Sequence, residues 1–167
     1  MVSDRLSYSE VGPDDLDVFH ALVVDEHVRR YLMDGNVFSR EWSEARIRES
    51  VSLFERRGVG LWLVGERDTL QTVGFCGFLD FPHMHPEPQL VYALTQGFTG
   101  RGYATEMARA CIAEARLHSG FDDIIAAVDD VNVASRAVLE KLGFESIGAF
   151  EGAFGSGTLC RLRAAPA

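Results

Sequence analysis

The sequence predicts an α+β fold: a mixed, mostly antiparallel central sheet with about four helices. Three observations carry that expectation. Apolar segments with strand character recur through the first half of the chain, two of them close enough to form a hairpin. Stretches with apolar residues every three or four positions, closed by glycine, mark helices. A strand signal, a glycine-rich loop, a helical pattern and a short apolar run then follow one another, which is the order of a βαβ unit with two parallel strands. An antiparallel N-terminal half joined to that unit gives the mixed sheet.

Taken in order, RLSYSEV, Arg5 to Val11, alternates and reads as the first strand. In GPDDLDVFHALVVD, Pro13 suits a first helical turn, with Asp14 and Asp15 near the positive end of the dipole. Leu16, Phe19, Ala21 and Val23 form its less regular apolar set. The next helix is firmer. Ser39 caps it, Ile47, Val51 and Phe54 share a face, and Gly58 ends it. GLWLVGE and TVGFCGFLDF flank RDTLQ as a hairpin, and FPHMHPEP is a loop because its prolines cannot donate to a sheet. QLVYALT is a further strand. A helix from about Gly102 to Ser119 buries Ala104, Met107, Ala108, Cys111, Ile112 and Ala115. IIAAV is a strand covered on both faces. Asn132 caps a last helix that runs to Leu142 and stops at Gly143. FESIGAF and GTLCRLR close the chain as antiparallel strands.

The 167 residues suit one domain spanning residues 1–167. No apolar run is long enough for a membrane helix, and MVSDRLSYSE lacks the layout of a signal peptide. A cytoplasmic protein without a membrane partner is expected, as a monomer or a homodimer. Cys76, Cys111 and Cys160 are far apart in apolar stretches with no CxxC, the pattern of buried thiols rather than of a disulfide framework. A net charge of −9 argues against nucleic acid as a partner and is compatible with a cationic substrate.

Gly97, Gly100 and Gly102 stand directly before a helix. A glycine-rich turn there exposes backbone N–H groups that, with the helix dipole, form an anion site; the alternative is a plain tight turn. Gly102 is followed by Tyr103 and Ala104, not by the Lys-Ser/Thr of a P-loop. Thr105 stands where a dinucleotide fingerprint needs its last glycine or alanine. Coenzyme A is a third option. At this point GFTGRGYATEMARACI resembles the acetyl-CoA-binding motif of the GNAT acetyltransferases, R/Q-x-x-G-x-G/A. VNVASRAVLEKLGFESIG resembles their second signature, and DRLSYSEVGPDDLDVFHAL is similar to the branch of ribosomal-protein N-terminal acetyltransferases. One departure is visible: the Arg/Gln position of the first motif falls on Gly97, with Gln96 one residue earlier.

The resemblance implies an acetyl-CoA-dependent N-acetyltransferase acting on a primary amine. A protein or peptide N-terminal α-amine leads as acceptor; a small amine, or a module that binds acyl-CoA without catalysis, is the alternative. It implies that the strands VYALT and IIAAV splay apart around the pantetheine arm. Backbone groups of Ala93, Leu94 and Thr95 would bond that arm, with Leu94 N–H as oxyanion donor. Amides from Gly97 through Phe98, Thr99, Gly100, Arg101, Gly102, Tyr103 and Ala104 would hold the pyrophosphate, Arg101 adding charge. Asn132 would bond a pantetheine carbonyl, serve as an N-cap, or do both. Where many relatives carry an acidic tyrosine stands Leu139, so Ser135 becomes the candidate proton donor, with Tyr92 and Tyr103 as further hydroxyls. Where relatives carry a basic glutamate stands Gln89. Glu87 is the nearest carboxylate and the candidate base, and His83 and His85 are alternatives. His83, His85 and Asp80 lack further ligands at convincing spacing, so no metal site is expected.

Overall fold

The computed structural model describes residues 1–32, 35–118, 120–152 and 155–164. Its seven strands form one sheet in the order β1-β2-β3-β4-β5-β7-β6. The strands are β1 (Leu6–Glu10), β2 (Leu61–Glu66), β3 (Thr72–Leu79), β4 (Gln89–Leu94), β5 (Ile124–Asp129), β6 (Glu145–Gly152) and β7 (Gly155–Leu162). β4 and β5 run parallel and every other neighbouring pair is antiparallel, as the α+β reading expected. β7 inserts between β5 and β6, so the last hairpin joins the sheet through its second strand.

The described residues contain five helices, one more than expected: α1 (Leu16–Val23), α2 (Glu26–Leu32), α3 (Arg40–Arg57), α4 (Tyr103–His118) and α5 (Val133–Leu142). Pro13–Asp15 forms a 3-10 turn that leads into α1 rather than its first α-helical turn. Ser39 Oγ accepts from Trp42 N–H at the start of α3, and Gly58 closes that helix in the left-handed conformation. The buried face of α3 is Ser43, Ile47, Ser50 and Leu53. Val51 and Phe54 lie at its flanks, partly buried. α4 buries Tyr103 in addition to the expected Met107, Ala108, Cys111, Ile112 and Ala115, whereas Ala104 is half-buried. Ser119, the expected end of α4, lies outside the described residues.

Two apolar layers sandwich the sheet. On one face Cys76, Phe78, Leu90 and Leu94 pack with Met107, Ala108 and Cys111 of α4. On the other, Phe75, Val91 and Ala93 pack with Phe19 of α1, Val28 of α2 and Ile47 of α3. β4 therefore alternates between the layers, as a strand buried on both faces must. All three cysteines are free and buried. Among the described residues no helix is long and apolar enough to cross a membrane.

Candidate active site

The parallel pair is barely a pair. β4 and β5 meet in register only at Gln89 and Ile125. β4 stays paired to β3 through Leu94, and β5 to β7 through Asp129. The two strands thus diverge and leave facing edges unpaired. Thr95 N–H donates to Val73 O at 3.0 Å. Alternation along an antiparallel ladder then turns the backbone groups of Ala93 and Val91 toward β3, and those of Tyr92 and Leu94 toward the opening. Backbone donors and acceptors in such a notch require partners. An extended, amide-bearing ligand supplies them in the manner of an added strand.

A cleft of about 1360 Å³ occupies the notch. Its lining includes Ala93, Leu94, Thr99, Gly100, Gly102, Tyr103, Ala104, Asn132 and Ser135 from the expected set. Thr95, Gly97, Phe98 and Arg101 lie outside the lining.

The loop after β4 meets the requirement for an anion site. Gly100 and Gly102 have φ of 74° and 80°, the left-handed region in which side chains are strained. The first hydrogen bond of α4 runs from Glu106 N–H to Gly102 O at 3.1 Å. Tyr103, Ala104 and Thr105 therefore present N–H groups with no partner in the helix, at its positive end. Arg5 of the first strand segment props this loop: Nη1 donates to Arg101 O at 2.9 Å, and Nη2 pairs with Glu106 at 2.7 Å. Partial burial pushes the Glu106 carboxyl up, but hydrogen bonds from Ser3 and Arg5 outweigh it and hold the group below the usual range. The Tyr103 hydroxyl donates to Glu66. The hydrogen bond to this carboxylate raises the phenol's pKa, with burial adding to it. Arg101 turns toward Glu66, 3.8 Å away, and lies over the Phe98 ring.

Across the notch, Asn132 begins α5. Its Oδ1 accepts from Ser135 N–H at 3.1 Å, so the cap is real, and its Nδ2 donates to Tyr31 O at 3.3 Å. The same side chain therefore ties α5 to α2 at the cleft rim. We expect Asn132→Ala to cost about 1 kcal/mol of stability through the lost cap. In a thermal melt that is a fall of about 3 °C, with acetyl-CoA affinity reduced as well. A lowered melting point with unchanged affinity would leave Asn132 as a cap alone. Ser135 Oγ lies 2.7 Å from the hydroxyl of Tyr92, which comes from β4.

The expected base lies elsewhere. Glu87 does not line the cleft; its Oε2 pairs with Arg57 Nη2 at 2.6 Å. Arg57 also covers Phe121, so this ion pair ties the loop before β4 to the end of α3. His85 turns into its own loop, where Nδ1 accepts from Glu87 N–H at 3.1 Å. His83 does line the cleft, as does the buried Gln89, whose Nε2 donates to Phe81 O at 3.3 Å. His27 and Tyr31 of α2 complete this side, their rings 4.9 Å apart. These two α2 residues were not anticipated. The signal was present: Asp25 Oδ1 caps α2 by accepting from His27 and Val28 N–H, and Val28 and Leu32 repeat at helical spacing.

An anion cradle, a free strand edge and a hydroxyl pair now lie along one cleft, and together they fit the diphosphate, amide arm and thioester of acetyl-CoA. The comparisons agree. The model of the Acetyltransferase (GNAT) domain family matches residues 5–145. The uncharacterised N-acetyltransferase YoaA of Bacillus subtilis is 27% identical over 147 residues, 87% of this chain and 82% of YoaA. RimL, a ribosomal L7/L12 α-N-protein acetyltransferase solved with coenzyme A, superposes with a TM-score of 0.80 at 17% identity, covering 98% of this chain and 97% of RimL. Spermidine N-acetyltransferase from Vibrio cholerae, solved with CoA and spermine, gives 0.77 at 13% identity over 96% of each chain. Family match and cleft thus lead to one conclusion: the chain belongs to the GNAT acetyltransferases and takes its acetyl group from acetyl-CoA.

Proposed function

We propose that the acceptor is the α-amine of a peptide or protein N-terminus. One observation carries this: the carboxylates lining the cleft, among the described residues, are Asp129 and Glu151 alone. A polyamine carries several ammonium groups, each calling for a counter-charge when it leaves water. A peptide N-terminus brings a single amine and an extended backbone. Aromatic and apolar side chains from Tyr31, Phe81 and Phe150 line the cleft and suit its flanking residues. An α-amine has a pKa of about 7.7–8.0, so part of it is neutral near pH 7 and no strong base is needed. That agrees with a site from which Glu87 is withdrawn.

In this reading bound acetyl-CoA supplies an activated acyl group. The N–H groups of the Gly100–Thr105 loop, with those of Tyr103 to Thr105 free of helical partners, would hold its pyrophosphate, and the edge of β4 would hold its amide arm. Leu94 N–H, turned toward the opening, would stabilise the negative charge that develops on the acyl oxygen. Ser135, which lines the cleft, would offer its hydroxyl to the departing sulfur. Ser135→Ala should lower kcat by ~10²-fold with little change in KM for acetyl-CoA, because the hydroxyl meets full charge only late in the reaction. Steady-state kinetics decide: a raised KM with kcat intact would make Ser135 a cofactor ligand instead.

The acceptor is tested by following free CoA with a thiol reagent across peptides with free N-termini, the same peptides N-blocked, and polyamines. Turnover confined to free N-termini is the expected result. Preference for polyamines would overturn the reading, and tight acetyl-CoA binding without turnover on any acceptor would favour a binding module.

A further inference from the structure

We propose that the Tyr92 hydroxyl is the positioning group for Ser135, holding the serine O–H free to point into the cleft. The inference rests on the reading of Ser135 above. Its basis is the geometry of the two hydroxyls. Tyr92 Oη lies 2.7 Å from Ser135 Oγ and 3.3 Å from Ser135 O. A phenol is a far stronger acid than an alkyl alcohol, so in a close pair of the two it is the natural donor. The phenol has one proton, and the shorter contact is to Oγ. With Oγ accepting from Tyr92, the serine proton must be directed elsewhere. Its own carbonyl lies within α5, where the helical ladder pairs it with the N–H one turn on, and the cleft lies alongside.

Three further features agree. Tyr92 comes from β4 and Ser135 from the first turn of α5, so the contact spans the two walls of the notch. The serine is fixed at its backbone as well, through Ser135 N–H to Asn132 Oδ1. Burial pushes the Tyr92 hydroxyl up to about 12, against a smaller opposing effect of the Ser135 hydrogen bond, with Cys76 and Cys160 adding to the rise. The phenol therefore stays protonated across the working range and keeps the proton it donates to Ser135 Oγ. Tyr92 donates a hydrogen bond, Ser135 donates one to the sulfur as the C–S bond breaks, and neither O–H need be lost. The proton that finally resides on the thiol comes from the acceptor nitrogen, which must shed one on becoming an amide. This accounting needs no group the cleft lacks.

The test is a double-mutant cycle with acetyl-CoA and the peptide of highest turnover in the panel above. Tyr92→Phe keeps the ring and removes only the hydroxyl. We expect kcat to fall about tenfold, the value of one hydrogen bond. KM for acetyl-CoA should stay within about twofold, because the effect falls on the transition state. Combining it with Ser135→Ala should reduce kcat no further than Ser135→Ala alone, because the tyrosine acts only through the serine. A structural role would instead shift the melting point and KM and leave the two effects additive, which would overturn the proposal. Normal kcat in Tyr92→Phe beside an impaired Ser135→Ala would overturn the positioning role only. A silent Ser135→Ala would overturn the Ser135 reading beneath it. Acetyl-CoA titration calorimetry on each variant verifies that a folded, binding-competent site is being compared.

Discussion

Gly102→Glu should abolish acetyl-CoA binding while leaving the protein folded. Gly102 is exposed at the end of the loop, with φ of 80°. A side chain in that conformation costs about 1–2 kcal/mol, a loss a domain of this size tolerates. A carboxylate at the start of α4 even complements the helix dipole. Its effect on the ligand is the opposite. A Cβ on Gly102 would lie 3.5 Å from Arg5 Nη2. Gly102 directly precedes Tyr103, so a glutamate there adds a negative charge at the N-terminus of α4, where the diphosphate would bind. It would repel a diphosphate from the site the diphosphate needs. Calorimetry should then show no heat of binding. Gly102→Ala separates charge from strain: it carries the same backbone penalty and should retain most of the affinity. Unchanged affinity in Gly102→Glu would mean that the α4 N-terminus is not the pyrophosphate site.

The contrast between loop and side chains shows what the sequence made legible. The loop's geometry was readable because it lies in the backbone: glycines before a helical pattern already imply free N–H groups, whatever packs around them. Asn132 was readable as a cap because its partner, the Ser135 N–H, is three residues away. Glu87 was not. Its assignment as a base used sequence distance from Gln89, but its contact is with Arg57, thirty positions earlier, at 2.6 Å. No local pattern encodes that. Arg101 gives the same lesson. Beside three glycines it reads as a phosphate ligand, yet the fold brings Glu66 from β2 within 3.8 Å and draws the guanidinium toward it. The pairing of Tyr92 with Ser135 joins residues on different elements and emerges only once β4 and α5 face each other across the notch. In α3 the chain carries two serines, Ser43 and Ser50, on its buried face. Each has a polar partner supplied by tertiary structure: His20 Nδ1 lies 2.9 Å from Ser43 Oγ, and Leu61 N–H donates to Ser50 Oγ at 2.7 Å. Apolar periodicity alone therefore misplaced that face by favouring Val51 and Phe54.

Gly74→Ala should be strongly destabilising although it adds only one methyl group. Gly74 lies in β3 opposite Leu94 of β4. A Cβ built on it would stand 1.9 Å from the Ala93 carbonyl oxygen and 2.9 Å from its carbon. These are backbone atoms of a central strand, held on both faces by packed layers, so no flexible side chain can give way. Either β3 and β4 must separate locally or β4 must shift. Overpacking against such a wall belongs at the upper end of the usual penalty, about 3 kcal/mol. For a chain of this length that corresponds to a fall of roughly 6–12 °C in melting temperature. The functional consequence follows from the same displacement. β4 carries the Leu94 N–H and the Tyr92 hydroxyl, and its free edge is one wall of the notch. A shift of that wall should reduce kcat even below the melting transition, where the variant is folded. Differential scanning calorimetry and kinetics at low temperature check both halves. A melting point within a degree or so of the parent would show that the sheet absorbs the methyl group and that the close approach of β3 to β4 is not what fixes the position of β4.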